Sequence, residues 1–376
     1  MRPDFDFFTI FVQGLSSIEV AVAVIGFVSA AAFAGLWATK LGRIILPQPQ
    51  ESRVADFLPF NKLMADGITI RCYNGSFARV FKVEGVDLSF VTDEKSLSMM
   101  EARKSWIDSM SDLQVVCRVI TLRERISMEA DSGDFGNQLL EQISMTWRNN
   151  LDRVYSNGHY IVLSVADRPE ALKDLNYASQ ALLATLNDYG VKPMFETEDS
   201  AAADSPLAIF SKICSPLSKP MPKVRGAEGY QLNELLTADH IHFTDEKGLI
   251  KFFSGDKEMF AIVMGIRSSG DYMDEGMIAS LLSIDCELTM LHNVKPIFKP
   301  HARALLMQQQ RMAAVTSFSP DVINQYSEAL SAIEDSDADY QALTEYAMDI
   351  IIKGETMEEI EFGESEVQRI CRLFSV

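Results

Sequence analysis

At 376 residues the chain is too long for one small domain and suits two or three of the usual ~100–200 residues each. Hydrophobic residues make up 47% and charged residues 23%, enough apolar surface to bury a core, which excludes a disordered chain. The 34 Lys and Arg stand against 53 Asp and Glu, and a net charge of −19 with no run of Lys and Arg argues against a duplex-DNA groove binder, which needs a basic footprint to displace counterions from phosphate.

The first element is VAVAVIGFVSAAAFAGLWA, residues 20–38, which carries no charge. As a helix it would span ~28 Å, close to the hydrocarbon thickness of a bilayer. Val20, Val24, Phe27 and Phe33 would meet lipid, with Trp37 near the interface. Lys40, Arg43 and Arg53 follow the span, so the positive-inside rule places the bulk of the chain in the cytoplasm. The alternative is an Ala-rich core helix. ILPQPQESR then reads as a linker.

ITIRCYNGSFARVFKVEGVDLSF, residues 68–90, alternates apolar residues around Asn74-Gly75. It reads as a hairpin with a type I′ turn, in which both central residues tolerate positive φ. Gly85 with Asp87 reads as a second tight turn.

Thr92 precedes an acidic first turn and caps a helix with Met99, Arg103, Trp106 and Met110 on one face. A strand at VVCRVITL, a helix over NQLLEQISMTWRNNLDRVY and a strand at HYIVLSVA follow. A long helix then runs from Pro169 to Tyr189, with Gly190 just beyond it. The polar and Pro/Gly-punctuated stretches at 196–206 and 218–229 mark an internal boundary.

Beyond it, DHIHFT, GLIKFF and EMFAIVMGI predict three strands, the last two joined at Ser254-Gly255-Asp256. A helix around DEGMIASLLS, a strand CELTMLHNV, a helix from Lys299 and a helix opened by Ser319-Pro320 come next. The chain closes with a strand near 347–352 and a helix with a Thr356/Glu359 capping box. Twelve Asp or Glu lie between Glu334 and Glu366 against one Lys, Lys353; this is a solvated acidic face or a docking surface for a basic partner.

The expected fold is α+β: mixed sheets covered by helices in two subdomains (46–200 and 201–376), preceded by one N-terminal transmembrane helix within 1–45.

Groups that carry chemistry are sparse. No Gly is followed by Lys, so the phosphate-cradling GxxxxGK loop is absent from this sequence, as are GxSxG and HExxH. His240 and His242 alternate on a strand with Asp239 and Asp245 nearby, a minimal cluster without a third ligand at metal spacing. Glu84 and Asp87 flank a turn, and His159 and His301 stand alone. The five cysteines, Cys72, Cys117, Cys214, Cys286 and Cys371, form no CxxC and read as reduced and buried. The methionines, including Met99, Met110 and Met145, read as core fillers. No catalytic, metal-binding or cofactor-binding residue is assigned.

Two blocks carry a resemblance: DGITIRCYNGSFARVFKVEGVDLSFVTDE, and the run from FFSGDKEMFAIVMGIRSSGDYMDEGMIA through HNVKPIFKPHARALLMQQQRMA. They resemble the amino-terminal and central region of the CagE/TrbE/VirB family of type IV secretion and conjugation ATPases, from about residue 57 onward. The resemblance implies a region that precedes a RecA-like motor and docks it against an inner-membrane complex. It implies sister ATPase subunits, inner-membrane secretion subunits and the membrane as partners, and a homo-oligomer. ATP would enter only with a motor domain, which this sequence does not reach before Val376. The alternatives are a truncated ATPase whose hydrolysing domain lies outside this chain, and an unrelated membrane-tethered metal-dependent hydrolase using His240 and His242.

Overall fold

The computed structural model describes residues 53–86, 91–126, 137–151, 154–196, 204–218, 231–244, 248–266, 275–315, 320–334 and 343–374. The 20–38 segment with Val20, Val24, Phe27, Phe33 and Trp37, together with Asp87 and Asp245, lies outside them. Among the described residues no helix is long and apolar enough to cross a membrane.

The hairpin forms where its alternation places it. Strand β1 (Phe60–Leu63) pairs with β2 (Thr69–Cys72), which pairs with β3 (Phe77–Val83), all antiparallel. The turn differs from the expected type I′. The Gly75 amide donates to the Cys72 carbonyl (3.1 Å), closing a β-turn over Tyr73 and Asn74, and Gly75 alone takes the left-handed conformation at φ 80°. Asn74 instead uses its side-chain oxygen to accept from the Ser76 amide (3.1 Å) and hydroxyl (2.7 Å), a local bond that replaces a left-handed backbone.

Helix α1 (Asp93–Leu113) starts at Thr92, whose hydroxyl accepts from the Lys95 amide (3.3 Å). It buries Met99, Trp106 and Met110. Strand β4 (Val116–Ile126), helix α2 (Gln138–Leu151) and strand β5 (Val154–Val165) follow. The expected helix over residues 137–155 stops short because Val154 and Tyr155 are drawn into pairing with Ile126 and Arg125 of β4. Helix α3 (Ala171–Thr185) ends before the expected Tyr189. A 3-10 turn (Asn187–Tyr189) and Gly190 at φ 63° finish it, and β6 (Val191–Pro193) returns to β3.

The remaining elements are α4 (Ala208–Cys214), α5 (Leu232–Leu236), β7 (His240–Phe243), β8 (Leu249–Ser254), β9 (Lys257–Ile266), α6 (Glu275–Leu281) and β10 (Glu287–Pro296). They end with α7 (Lys299–Val315), α8 (Pro320–Glu334), β11 (Thr344–Gly354) and α9 (Met357–Leu373).

In place of separate mixed sheets, the described strands form one antiparallel sheet ordered β1-β2-β3-β5-β4-β10-β11-β9-β8-β7, with β6 also on β3. The central contact is β4 against β10, from Cys117↔Val294 to Arg123↔Leu288. Each strand would otherwise present an open edge in the middle of the molecule, and pairing them removes both.

The order is a repeat. Read from either outer edge inward, the strands run first, second, third, fifth, fourth: β1-β2-β3-β5-β4 and β7-β8-β9-β11-β10. Strands β1, β2 and β3 begin at residues 60, 69 and 77, and β7, β8 and β9 at 240, 249 and 257, a constant displacement of 180 residues. IRCYNGS (70–76) and IKFFSGD (250–256) thus occupy equivalent hairpins, with left-handed Gly75 and Gly255 at the same turn position.

One face of the sheet carries α1 and α3 over Phe81, Cys117, Ile161 and Leu163, and α6 and α9 over Leu288, Met290, Ile350 and Ile352. The other face carries α4 and α5, where Leu207, Ile209, Leu232 and Leu236 cover Val80, Ile120, Leu122 and Val162. Each such fully buried aliphatic side chain contributes about 1.5–3 kcal/mol. A separate cluster, Ile297, Ala302 and Leu306 with Tyr326 and Leu330, binds α7 to α8. Met99 and Met110 are buried as expected, but Met145 on α2 is exposed.

Candidate functional site

Polar chemistry concentrates where β4 and β11 end and β5 and β10 begin, beside the start of α9. Arg125 reaches Glu359 (3.1 Å), and its backbone amide donates to the Glu287 carboxylate (2.9 Å). Glu359 also accepts from the Glu355 amide (2.8 Å), while its own amide donates to Thr356 (3.3 Å), so the expected capping box exists with Glu355 in place of Thr356 as the reciprocal donor. Burial pushes the Glu359 carboxyl up, but the Glu355 amide and Arg125 outweigh it and hold it below the usual carboxylate range. Arg123 donates to the Ile284 carbonyl (3.1 Å) and lies 4.3 Å over the Tyr155 ring.

Lys353, on β11, is buried and donates to the Lys212 carbonyl of α4 (3.2 Å). Burial lowers its pKa, opposed by the charges of Glu287 and Glu124. Lys212 in turn pairs with Glu124 of β4 (2.6 Å). A small cleft lined by Arg125, Cys286, Glu287, Lys353, Gly354 and Glu359 opens here. These groups join β4 of the first repeat to β10, β11 and α9 of the second, so their charges are spent on the junction.

Burial raises the pKa of all five cysteine thiols, Cys72, Cys117, Cys214, Cys286 and Cys371. Burial pushes the Cys286 and Cys214 thiols up to about 11 and Cys117 up to about 12, which keeps them protonated at neutral pH. Among the described residues no three His, Cys, Asp or Glu side chains converge as a metal ion would require. His240 and His242 are exposed on edge strand β7. Asp239 is committed to the Leu217 amide (2.8 Å) and the Ser218 hydroxyl. Glu84 pairs with Lys192, and the Gly85 amide, at φ 83°, donates to the Tyr189 carbonyl (3.1 Å). His301 is exposed on α7.

Two further histidines lie near the junction on the face of the sheet that α1, α3, α6 and α9 cover. His159 hydrogen-bonds with Thr121 (3.0 Å) and His292 with the Tyr346 hydroxyl (2.7 Å). Burial lowers both imidazole pKa values below 6.5. A base with a depressed folded pKa binds protons more readily when unfolded, so stability is full above 6.5 and is lost as pH falls through the folded values. The melting temperature should therefore drop between about pH 7.5 and about pH 5.5, and a His159→Gln/His292→Gln variant should drop less. Equal drops in the two proteins would contradict this assignment.

The junction residues escape sequence reading because Arg125 and Glu359 lie 234 positions apart, with no local pattern linking them. Residues 202–372 match the sequence model of the CagE, TrbE, VirB family, component of type IV transporter system. No curated protein matches the chain.

Proposed function

We propose, on the premise that residues 202–372 belong to the CagE, TrbE, VirB family of type IV transporter components, that the chain acts as the docking and assembly region of a secretion ATPase at a bacterial inner membrane. One observation carries the reading: the family-matched stretch contains all of β7–β11, and this set of strands is continued edge to edge by a second set of the same order. The product is a wide scaffold whose junction charges pair with one another, which suits presenting surfaces to other subunits. Residues 20–38 would tether it to the membrane, and ATP would be handled by a motor domain carrying its own phosphate loop.

The test is capture of the full chain, in detergent, from cells that express the inner-membrane subunits of such a machine. Those subunits should co-purify, and deletion of residues 1–45 should move the chain to the soluble fraction. A chain that purifies alone and turns over ATP unaided would overturn the docking role. Unchanged membrane association after the deletion would overturn the tether.

A further inference from the structure

The two repeats pair alike along their hairpins and differ at one stretch of outer edge. Strand β2 pairs with β3 as far as Thr69↔Arg79, and β8 with β9 as far as Leu249↔Ile262. Aligned on these last pairs, Val80 corresponds to Val263, Phe81 to Met264, Lys82 to Gly265 and Val83 to Ile266, and Phe81 and Met264 both lie on the face that the long helices cover. Beyond the last pair β3 gains a second outer partner. Strand β6 adds to it antiparallel, from Phe81↔Pro193 to Val83↔Val191, and the Val80 carbonyl accepts from the Met194 amide (2.9 Å). Among the described residues no strand pairs with the outer edge of residues 263–266, although β11 holds their inner edge as far as Ile266↔Met348.

The burial of equivalent side chains records the difference. Val80 and Met194 are both buried in the cluster under α4 and α5, whereas Val263 is 47% exposed. On the other face Val191 is buried in the cluster that Val83 and Tyr189 pack against, while Ile266 and Phe374 are only partly buried beside the cluster under α9. In an antiparallel ladder alternate residues turn their backbone groups to opposite edges. The Val263 carbonyl and the Gly265 amide and carbonyl therefore point away from β11, as those of Val80 and Lys82 point to β6. A row of unpaired backbone groups is a template for another strand, and VMGI at 263–266 has none of the charges or prolines that blunt a sheet edge.

We propose that residues 263–266 of β9 are a strand-acceptor site: an extended segment of another polypeptide adds antiparallel to this edge, as β6 adds to β3. The first repeat specifies the chemistry of that segment. Val191 and Met194, three positions apart, fill opposite faces of the sheet, so the incoming strand carries two apolar side chains at that spacing. One enters beside Ile266 and Phe374, and the other covers Val263. Main-chain hydrogen bonds to Val263 and Gly265 supply the attachment, and the two apolar positions supply the selectivity. This inference goes beyond the docking reading and rests on the repeat alone, so it is tested without other subunits.

The experiment uses the full chain in detergent and, as probe, a fluorescent synthetic peptide with the sequence of residues 189–196, YGVKPMFE. The chain's own β6 already occupies the edge of β3, so saturable binding read by fluorescence anisotropy reports on β9. Gly265→Pro removes one outward amide and leaves the bonds to β11 in place, and should weaken binding about tenfold or more with an unchanged thermal melt. An analogue of the peptide N-methylated at its Lys and Met amides, the two that would face β9, should not bind the parent chain. Replacing the Val and Met of the peptide by Ser should weaken binding as well. Absence of saturable binding, equal binding of the N-methylated analogue, or a Gly265→Pro chain that binds like the parent would overturn the proposal. So would a parent chain that self-associates through this edge, losing the dimer in Gly265→Pro but not to the peptide, because a second copy would then be the occupant.

Discussion

Lys353→Glu is expected to lower the stability of the fold by about 3–5 kcal/mol, read as a large shift of the urea midpoint. The site is buried, and the charges that face it are Glu287 and Glu124. A carboxylate placed there would be desolvated among like charges and would lose the donor to the Lys212 carbonyl. Lys353→Met fills nearly the same volume without a charge. It removes the burial cost of the ammonium and one hydrogen bond, so its midpoint should stay within about 1 kcal/mol of the parent. Similar midpoints for the two variants would show that the charge at this position is immaterial to the junction.

The second large effect is at Gly67. Its φ is 69°, and a Cβ there would stand 2.6 Å from the Glu196 carbonyl oxygen, a backbone atom. The same two residues are joined by the bond from the Glu196 amide to the Gly67 carbonyl (3.0 Å), so a shift that relieves the clash also breaks that bond. Gly67→Val should cost about 3 kcal/mol or more, combining left-handed strain for a β-branched residue with the backbone collision. Gly248, before the equivalent hairpin of the second repeat, has φ 70° but open space around its Cβ position. Gly248→Ala should therefore show the conformational cost alone, about 1 kcal/mol. Equal losses for Gly67→Ala and Gly248→Ala in thermal melts would remove the role given to the Glu196 contact.

The repeat is where reading from sequence fell short although the information was present. IRCYNGS and IKFFSGD share an apolar start, a basic second residue and a left-handed Gly, but few identities, and each hairpin reads well by itself. Aligning the chain with itself at a displacement of 180 residues would have exposed them. The junction had no comparable trace. Arg125, Glu287, Lys353 and Glu359 come from four elements, and a lone charge on a strand looks like solvated surface until its neighbours in space are known. For α2, amphipathicity was legible in the sequence, but its Met145 was read as core because periodicity gives a face and not what the face meets.

Local sequence by itself determined the hairpins, the Thr92 and Thr356 helix starts and the alternation of strands with helices, because turns and caps are closed by residues within a few positions of one another. Only the tertiary structure decided that two sets of five strands fuse through β4 and β10 and that Lys353 is buried. Those outcomes depend on contacts between residues more than a hundred positions apart, such as Ile120 with Leu291, whose pairing is fixed by how both repeats bury their apolar faces.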